Sequence, residues 1–520
     1  MNPIRIISLL LFAAASAQAE VKLHALFTDG AVLQRELPLP IWGTATAGEK
    51  VTVSLAGQTA STMAKDGRWL VKLKPLRAGG PHVLTVEGTN KLEVKDVLVG
   101  EVWLCSGQSN MAFTLSQADN AAAAVPASAN AHIRLFKVPG NPQDGPQREV
   151  KGKWEPCNPQ TTPGFSAVGY FFGRDLQLAL GVPIGLIGSS VGGTPAQAWT
   201  SRSALEATPA GKPHLEAYAA ALLGKDKAEE KFAQDTQAWK AEVAAAKAAG
   251  KPAPRGPRRG PRPPGYRGAG RPAGLYNGMI APLAPFAMRG AIWYQGEANA
   301  STPDNYRELL PAMIRNWRQD FNPDLTFLIV QLAPYDRPAP EQWAFFRETQ
   351  RQIALHTPKT GLAAIPDAGD PTDIHPTHKE PAGQRLALAA QAIAYGKKIT
   401  WSGPALKSAA FAKGKATLSF DQIGGGLAAR DGELTGFALA GADRKFVPAS
   451  AKITGGKIEV SSAEVAEPKA VRYAWKNMPD GNLWNKDGLP ASPFRTDDWP
   501  LQATARSSPR TSGKATPEAK

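Results

Sequence analysis

The sequence predicts an α/β protein: a mostly parallel sheet flanked by helices, set between an N-terminal and a C-terminal β module. Two observations lead there. From Val97 to about Tyr395, apolar strand-like runs alternate with helical stretches, the order that builds a parallel sheet with helices on its faces. On both sides of that region the runs are short, alternate in polarity and are punctuated by Gly and Asp-Gly, as in antiparallel β-structure. At 520 residues the chain has room for roughly three units of about 100 to 200 residues each.

Residues 1–19 combine a charged start at Arg5, an apolar run from Ile6 through Ala15 and the small-x-small ending Ala17-Gln18-Ala19, which reads as a cleavable signal peptide. The run is shorter than the ~20 apolar residues of a spanning helix, and no later segment reads as a membrane span. The expected mature protein therefore starts near Glu20 and is secreted or periplasmic. Residues 20–98 form the expected N-terminal β domain, with strands at Val51–Leu55, Trp69–Leu73 and Val83–Val86. Residues 99–395 form the α/β domain, with strands at Val102–Cys105, Ile184–Ile187, Ala291–Tyr294 and Leu325–Gln331 and a helical stretch over Gly383–Ala394. An insertion at 210–273 interrupts it. A helix rich in Ala, Lys and Glu over 214–249 runs into a tract from Gly250 to Ala273 with six Gly, seven Pro, seven Lys or Arg and no acid. Pro and Gly at that density block a packed core, so a disordered loop is expected. Residues 396–500 return to short strands, at Ala416–Phe420 and Val471–Trp475, and residues 501–520 form a polar, disordered tail.

The formal charge is +15, from 60 Lys and Arg against 45 Asp and Glu. The Gly250–Ala273 tract supplies +7, the tail from Arg506 +3 and Arg5 +1, which leaves +4 for everything else. The folded body is thus only mildly basic, and Tyr266 is the tract's only aromatic, so nucleic acid is not an expected partner. Two cysteines, Cys105 and Cys157, are either paired in the oxidising space or buried free thiols; nothing in the sequence gives their separation. Neither lies in a metal-ligand spacing.

Four segments carry the chemistry. In the run Val102 to Met111, an apolar strand ends at Gly107 and Ser109 falls where a helix should begin, so backbone N–H groups and the helix dipole would face its hydroxyl. An isolated helix cap reads the same way, and Met111 stands where an α/β-hydrolase elbow has its second glycine. The other segments add weight. Ile187 to Thr194 ends a strand in the pair Gly192-Gly193, which lets a backbone N–H approach a bound group. Ala291 to Glu297 ends another in Gln295, whose amide can donate to an oxyanion. Asp367 to Pro376 brings Asp367, Asp370 and Asp373 close to His375. Together they supply nucleophile, oxyanion donors and base for serine acyl transfer. His378 does not make a metal pair with His375, because Pro376 lies between them and the His-Glu-x-x-His pattern is absent. No phosphate-cradling P-loop is present, and no metal or cofactor is expected.

This arrangement, with the nearest acid two residues before the histidine, resembles the SGNH, or GDSL-like, hydrolases. Within them it is similar to the sialate O-acetylesterase family. The resemblance covers nearly the whole mature chain: Phe27 to Arg35, Ser106-Gly107-Gln108-Ser109-Asn110-Met111, Leu275 to Ile280, Trp293-Tyr294-Gln295-Gly296-Glu297 and Gly488 to Thr496. The Pro/Arg-rich tract lies outside that pattern. The resemblance implies an SGNH-hydrolase-like fold in which Ser109 is the nucleophile and His375 the base, with the Ser109 N–H, a glycine N–H from Gly192 or Gly193 and the Gln295 amide around the oxyanion. Many SGNH hydrolases have Asp three residues before His. Here Thr372 fills that place, so Asp373 is the first choice of acid, with Asp370, Asp367 or a backbone carbonyl as alternatives. Gln108 and Asn110 flank the nucleophile as supporting residues, Glu297 braces the Gln295 loop or meets substrate, and Trp199 and Arg202 either line a sugar pocket or pack. The implied activity is removal of O-acetyl groups from sialic acids through an acetyl-enzyme. The alternative substrate is acetylated xylan or another acetylated polysaccharide, and the more distant alternative is a non-catalytic carbohydrate-binding protein. The oligomeric state is not legible.

Overall fold

The computed structural model describes residues 20–257, 268–336 and 338–500. The expected signal peptide, the tail and residues 258–267 of the cationic tract lie outside the described residues.

The centre is a sheet of strands β1 (Lys91–Gly107), β2 (Asn130–Lys137), β3 (Trp154–Cys157), β4 (Ile184–Ser190), β5 (Gly290–Tyr294), β6 (Thr326–Val330) and β7 (Thr360–Ala363), in the order β3-β2-β4-β1-β5-β6-β7. Every pair is parallel except β2 with β3. Strands β5 and β6 are buried at every residue, which is why they read as unbroken apolar runs: helices cover both faces. The chain leaves β1 to build one half of the sheet and returns through β5 to build the other, so the crevice at the carboxyl end of β1 is the switch point where ligands bind in such sheets. Register fixes what meets there. Gly107 lies opposite both Ser190 and Tyr294, so three strands end at one level and release their following segments side by side.

Among the helices are α1 (Ser109–Ala112), α2 (Ala167–Leu180), α3 (Lys212–Ala248), α4 (Pro303–Asp320), α5 (Gln342–His356) and α6 (Glu380–Ile393). Helix α2 opens on Ser166, whose hydroxyl accepts from Gly169 N–H at 3.0 Å, and closes on the left-handed Gly181. The helix expected after Ser109 is a single turn, because Phe113 turns the chain extended. A single turn gives Ser109 no macrodipole to face.

The N-terminal strands are joined to the central sheet through a shared strand. Gly79–Glu87 pairs antiparallel with the first part of β1 and Val32–Gln34 pairs parallel with its middle, so this one strand of 17 residues runs through residue 98 into the central sheet. At the junction the buried Glu101 binds Arg35 at 2.5 Å, Arg289 at 3.0 Å and the Gln34 amide at 2.8 Å. On the opposite side, strands between Ala405 and Arg495 form the C-terminal sheets. Buried Arg347 of α5 anchors them, donating to the carbonyls of Lys476 and Asn477 as well as Leu332 and Ala333 at 2.8–3.1 Å. Helix α3 extends the insertion by about 55 Å, and Trp239 Nε1 donates to Pro254 C=O at 2.8 Å, holding the start of the cationic tract against it. Cys105 and Cys157 are free, buried thiols. Among the described residues no helix is long and apolar enough to cross a membrane.

Candidate active site

The three aligned strand ends and the loop between β7 and α6 converge on Ser109. Gly107 has φ +138°, and a Cβ there would sit 2.2 Å from Tyr294 C=O, so only glycine lets the chain turn so close to β5. Ser109 follows two residues later, half-buried. His375 reaches it from the β7–α6 loop, with Nε2 2.8 Å from Ser109 Oγ across 266 residues of sequence. That is hydrogen-bond reach for proton transfer.

The three candidate acids separate clearly. Asp367 is bound bidentately by Arg385 at 2.6 and 2.7 Å, away from the imidazole. Asp370 Oδ1 accepts from Thr372 N–H, Thr372 Oγ and Asp373 N–H at 2.7–2.9 Å and so shapes the turn that leads to His375. Asp373 Oδ1 lies 3.5 Å from His375 Nδ1 and accepts the His375 backbone N–H at 2.8 Å. Among the described residues it is the carboxylate within 4.0 Å of that ring.

The glycine pair comes to the nucleophile: a Cβ on Gly192 would lie 3.4 Å from that of Ser109, and Gly193 has φ +69°. Gln295 does not present the free donor expected of it. It is fully buried, its Nε2 donates to Thr194 C=O at 3.2 Å and Asn299 Oδ1 at 2.8 Å, and its Oε1 accepts from Tyr306 OH at 3.0 Å. Both amide hydrogens are used, so Gln295 holds the Gly192-Gly193-Thr194 turn in place. Trp199 likewise lines no pocket; it is fully buried, donates to Thr194 Oγ1 at 3.0 Å and packs edge-on against Trp293. Arg202 is exposed and paired with Glu206.

Gln108 fixes the Glu297 turn by accepting from Ala298 N–H at 3.3 Å. Asn110 Nδ2 donates to Glu297 Oε1 at 2.5 Å and to Ile374 C=O at 3.0 Å, and its Oδ1 accepts from Lys379 Nζ at 2.5 Å. Burial raises the Glu297 pKa, with Asn110, Lys379 and His375 opposing, and lowers that of Lys379 to about 7, with Glu297 and Asp373 opposing. Sequence reasoning passed over Lys379, because a lysine in His-Pro-Thr-His-Lys-Glu-Pro reads as solvated. Its one signal is position: four residues after His375 it faces inward with the loop. His378 turns away to Asp119 at 2.8 Å. Among the described residues no group of three or more His, Cys, Asp or Glu is arranged to hold a metal.

A serine and a histidine in contact at the carboxyl edge of a parallel sheet, beside a turn of paired glycines, define the site of an α/β hydrolytic enzyme. Comparison with known proteins sharpens that class. A family profile described as "Carbohydrate esterase, sialic acid-specific acetylesterase" matches residues 269–392. Sialate O-acetylesterase of Rattus norvegicus is 32% identical over 457 residues, 78% of this chain and 79% of its own length. That of Homo sapiens is 29% identical over 546 aligned positions, 94% and 95% of the two chains. The crystal structure of a carbohydrate acetylesterase from Xanthomonas citri superposes with a TM-score of 0.78 at 41% identity, covering 92% of this chain and all of that one. The chain belongs to the sialate O-acetylesterase family of carbohydrate esterases and is a carboxylic ester hydrolase.

Proposed function

We propose that the protein removes acetyl groups from O-acetylated sugars by serine catalysis, with O-acetylated sialic acid as the substrate. The Ser109–His375 contact of 2.8 Å supports this reading above all else. His375 Nε2 takes the Ser109 proton as Oγ attacks the acetyl carbonyl, and the oxyanion settles against the N–H groups of Ser109 and the Gly192-Gly193 turn. Neither glycine N–H has a backbone acceptor among the described residues. His375 then protonates the leaving sugar oxygen, and as base it activates the water that hydrolyses the acetyl-enzyme. Asp373 stabilises the imidazolium from Nδ1. With Gln295 committed to the Thr194 turn, its substitution acts through the glycine donors and not by removing one.

Ser109→Ala should lower p-nitrophenyl acetate hydrolysis about 10³-fold or more, and equal rates for the two proteins would remove Ser109 as nucleophile. Acetate release from 9-O-acetylated sialic acid and from acetylated xylan decides the sugar. Activity on xylan alone would replace the sialate assignment.

A further inference from the structure

Asn110 stands between the two proposed catalytic residues in an unusual way. It follows Ser109 in sequence, and its side chain grips the carbonyl of Ile374, the residue before His375, at 3.0 Å. A carboxamide can turn over and exchange its oxygen for its nitrogen. If Asn110 did so, its oxygen would face the Ile374 carbonyl, acceptor against acceptor. What prevents this is the pair of charged groups at its two ends. Lys379 Nζ is a donor when charged and sits on the oxygen; Glu297 is an acceptor when ionised and sits on the nitrogen. Each would be mismatched by the flipped amide. Lys379 is 1% exposed, with Nζ 4.7 Å from the Phe113 ring centroid and 5.5 Å from that of Tyr294. A lysine so deeply buried is costly to keep unless it is specifically paired.

We infer that Lys379 and Glu297 are positioning residues that lock the orientation of the Asn110 amide, and that this lock holds the His375 loop at hydrogen-bond distance from Ser109. The inference rests on the Ser109–His375 reading above. It concerns alignment of the reacting groups, not contact with substrate, so its signature is a loss of kcat with KM preserved.

The test compares wild type, Lys379→Met, the isosteric Glu297→Gln and the double variant, with p-nitrophenyl acetate and with a fluorophosphonate that titrates reactive Ser109. A displacement of about 1 Å costs up to about 100-fold, so Lys379→Met should lower kcat per titrated site by about 10- to 100-fold with KM changed less than twofold. In Glu297→Gln the new amide can present either hydrogens or oxygen to Asn110, so kcat should fall less. The double variant should fall short of the product of the two single losses, because both act on one amide. The inference is overturned if kcat per titrated site stays within threefold of wild type in Lys379→Met and Glu297→Gln, or if the losses multiply. Ser109→Ala in the same assay separates the two levels: full activity there defeats the nucleophile assignment itself, whereas an inactive Ser109→Ala beside a fully active Lys379→Met defeats the lock alone.

Discussion

Asp373→Asn isolates how much the carboxylate beside His375 contributes to the proposed catalysis. The substitution keeps an oxygen to accept the His375 backbone N–H, at 2.8 Å in the wild type, and removes only the charge. That charge lies 3.5 Å from His375 Nδ1, longer than a strong hydrogen bond, and the two side chains are 39% and 63% exposed. Coulomb's law at this separation gives about 1 kcal/mol in water and about 5 kcal/mol at an effective dielectric of 20. Exposure of both partners places the interaction toward the lower end, about 1 to 2 kcal/mol of imidazolium stabilisation, or about 5- to 30-fold in kcat. A buried triad loses about 10⁴-fold on the same change. The assay is steady-state hydrolysis of p-nitrophenyl acetate at constant pH and ionic strength, repeated at raised salt, where the wild type should lose part of its advantage. A loss beyond about 10³-fold would refute the argument, and would mean that Asp373 closes on Nδ1 into a desolvated hydrogen bond during turnover.

Two further outcomes follow from groups away from the reaction. Burial raises the thiol pKa of Cys105 and pushes that of Cys157 up to about 12, so native protein should react negligibly with a thiol reagent and release two equivalents once unfolded without reductant; no thiols after unfolding would mean a disulfide. His24 is fully buried, its Nδ1 accepts Leu26 N–H at 3.2 Å, and burial lowers its pKa from 6.5 to about 4. The backbone carbonyls of Arg148 and Pro282 oppose the shift without offsetting it. The unfolded chain therefore takes up a proton that the folded chain refuses, so the contribution is intact above pH 6.5 and is lost as pH falls toward 4. Urea titrations at pH 7 and pH 4.5 should show about 2 to 3 kcal/mol less acid destabilisation in His24→Gln than in wild type, and identical pH slopes would exclude His24 as the cause.

What the sequence made legible here was local. Strands β5 and β6 announced themselves because burial on both faces leaves an unbroken apolar run, Gly107 because the close approach of β5 leaves no alternative to glycine, and Gly192-Gly193 because paired glycines mark a turn, whose second residue has φ +69°. Ser109 and His375 were singled out through the strings around them, and the 2.8 Å between them arises because the loop after β7, three places from β1 in the sheet, reaches back to the Ser109 turn. The failures share a different cause. Whether Gln295 has a hydrogen to spare depends on Thr194, Asn299 and Tyr306, none of which its own segment Trp-Tyr-Gln-Gly-Glu reveals. The continuity of β1 was hidden because Gly100-Glu101 interrupts the apolar run from Val97 to Cys105 and reads as a break between two strands, although Glu101 is buried within one. Lys379 is the sharpest case. By residue type it belongs in solvent, and its burial is dictated by an amide oxygen 269 residues away in sequence. In this protein the groups proposed to react are written in short motifs. The groups that hold them in register are ordinary polar residues, and their role exists only once the loops that carry them have met.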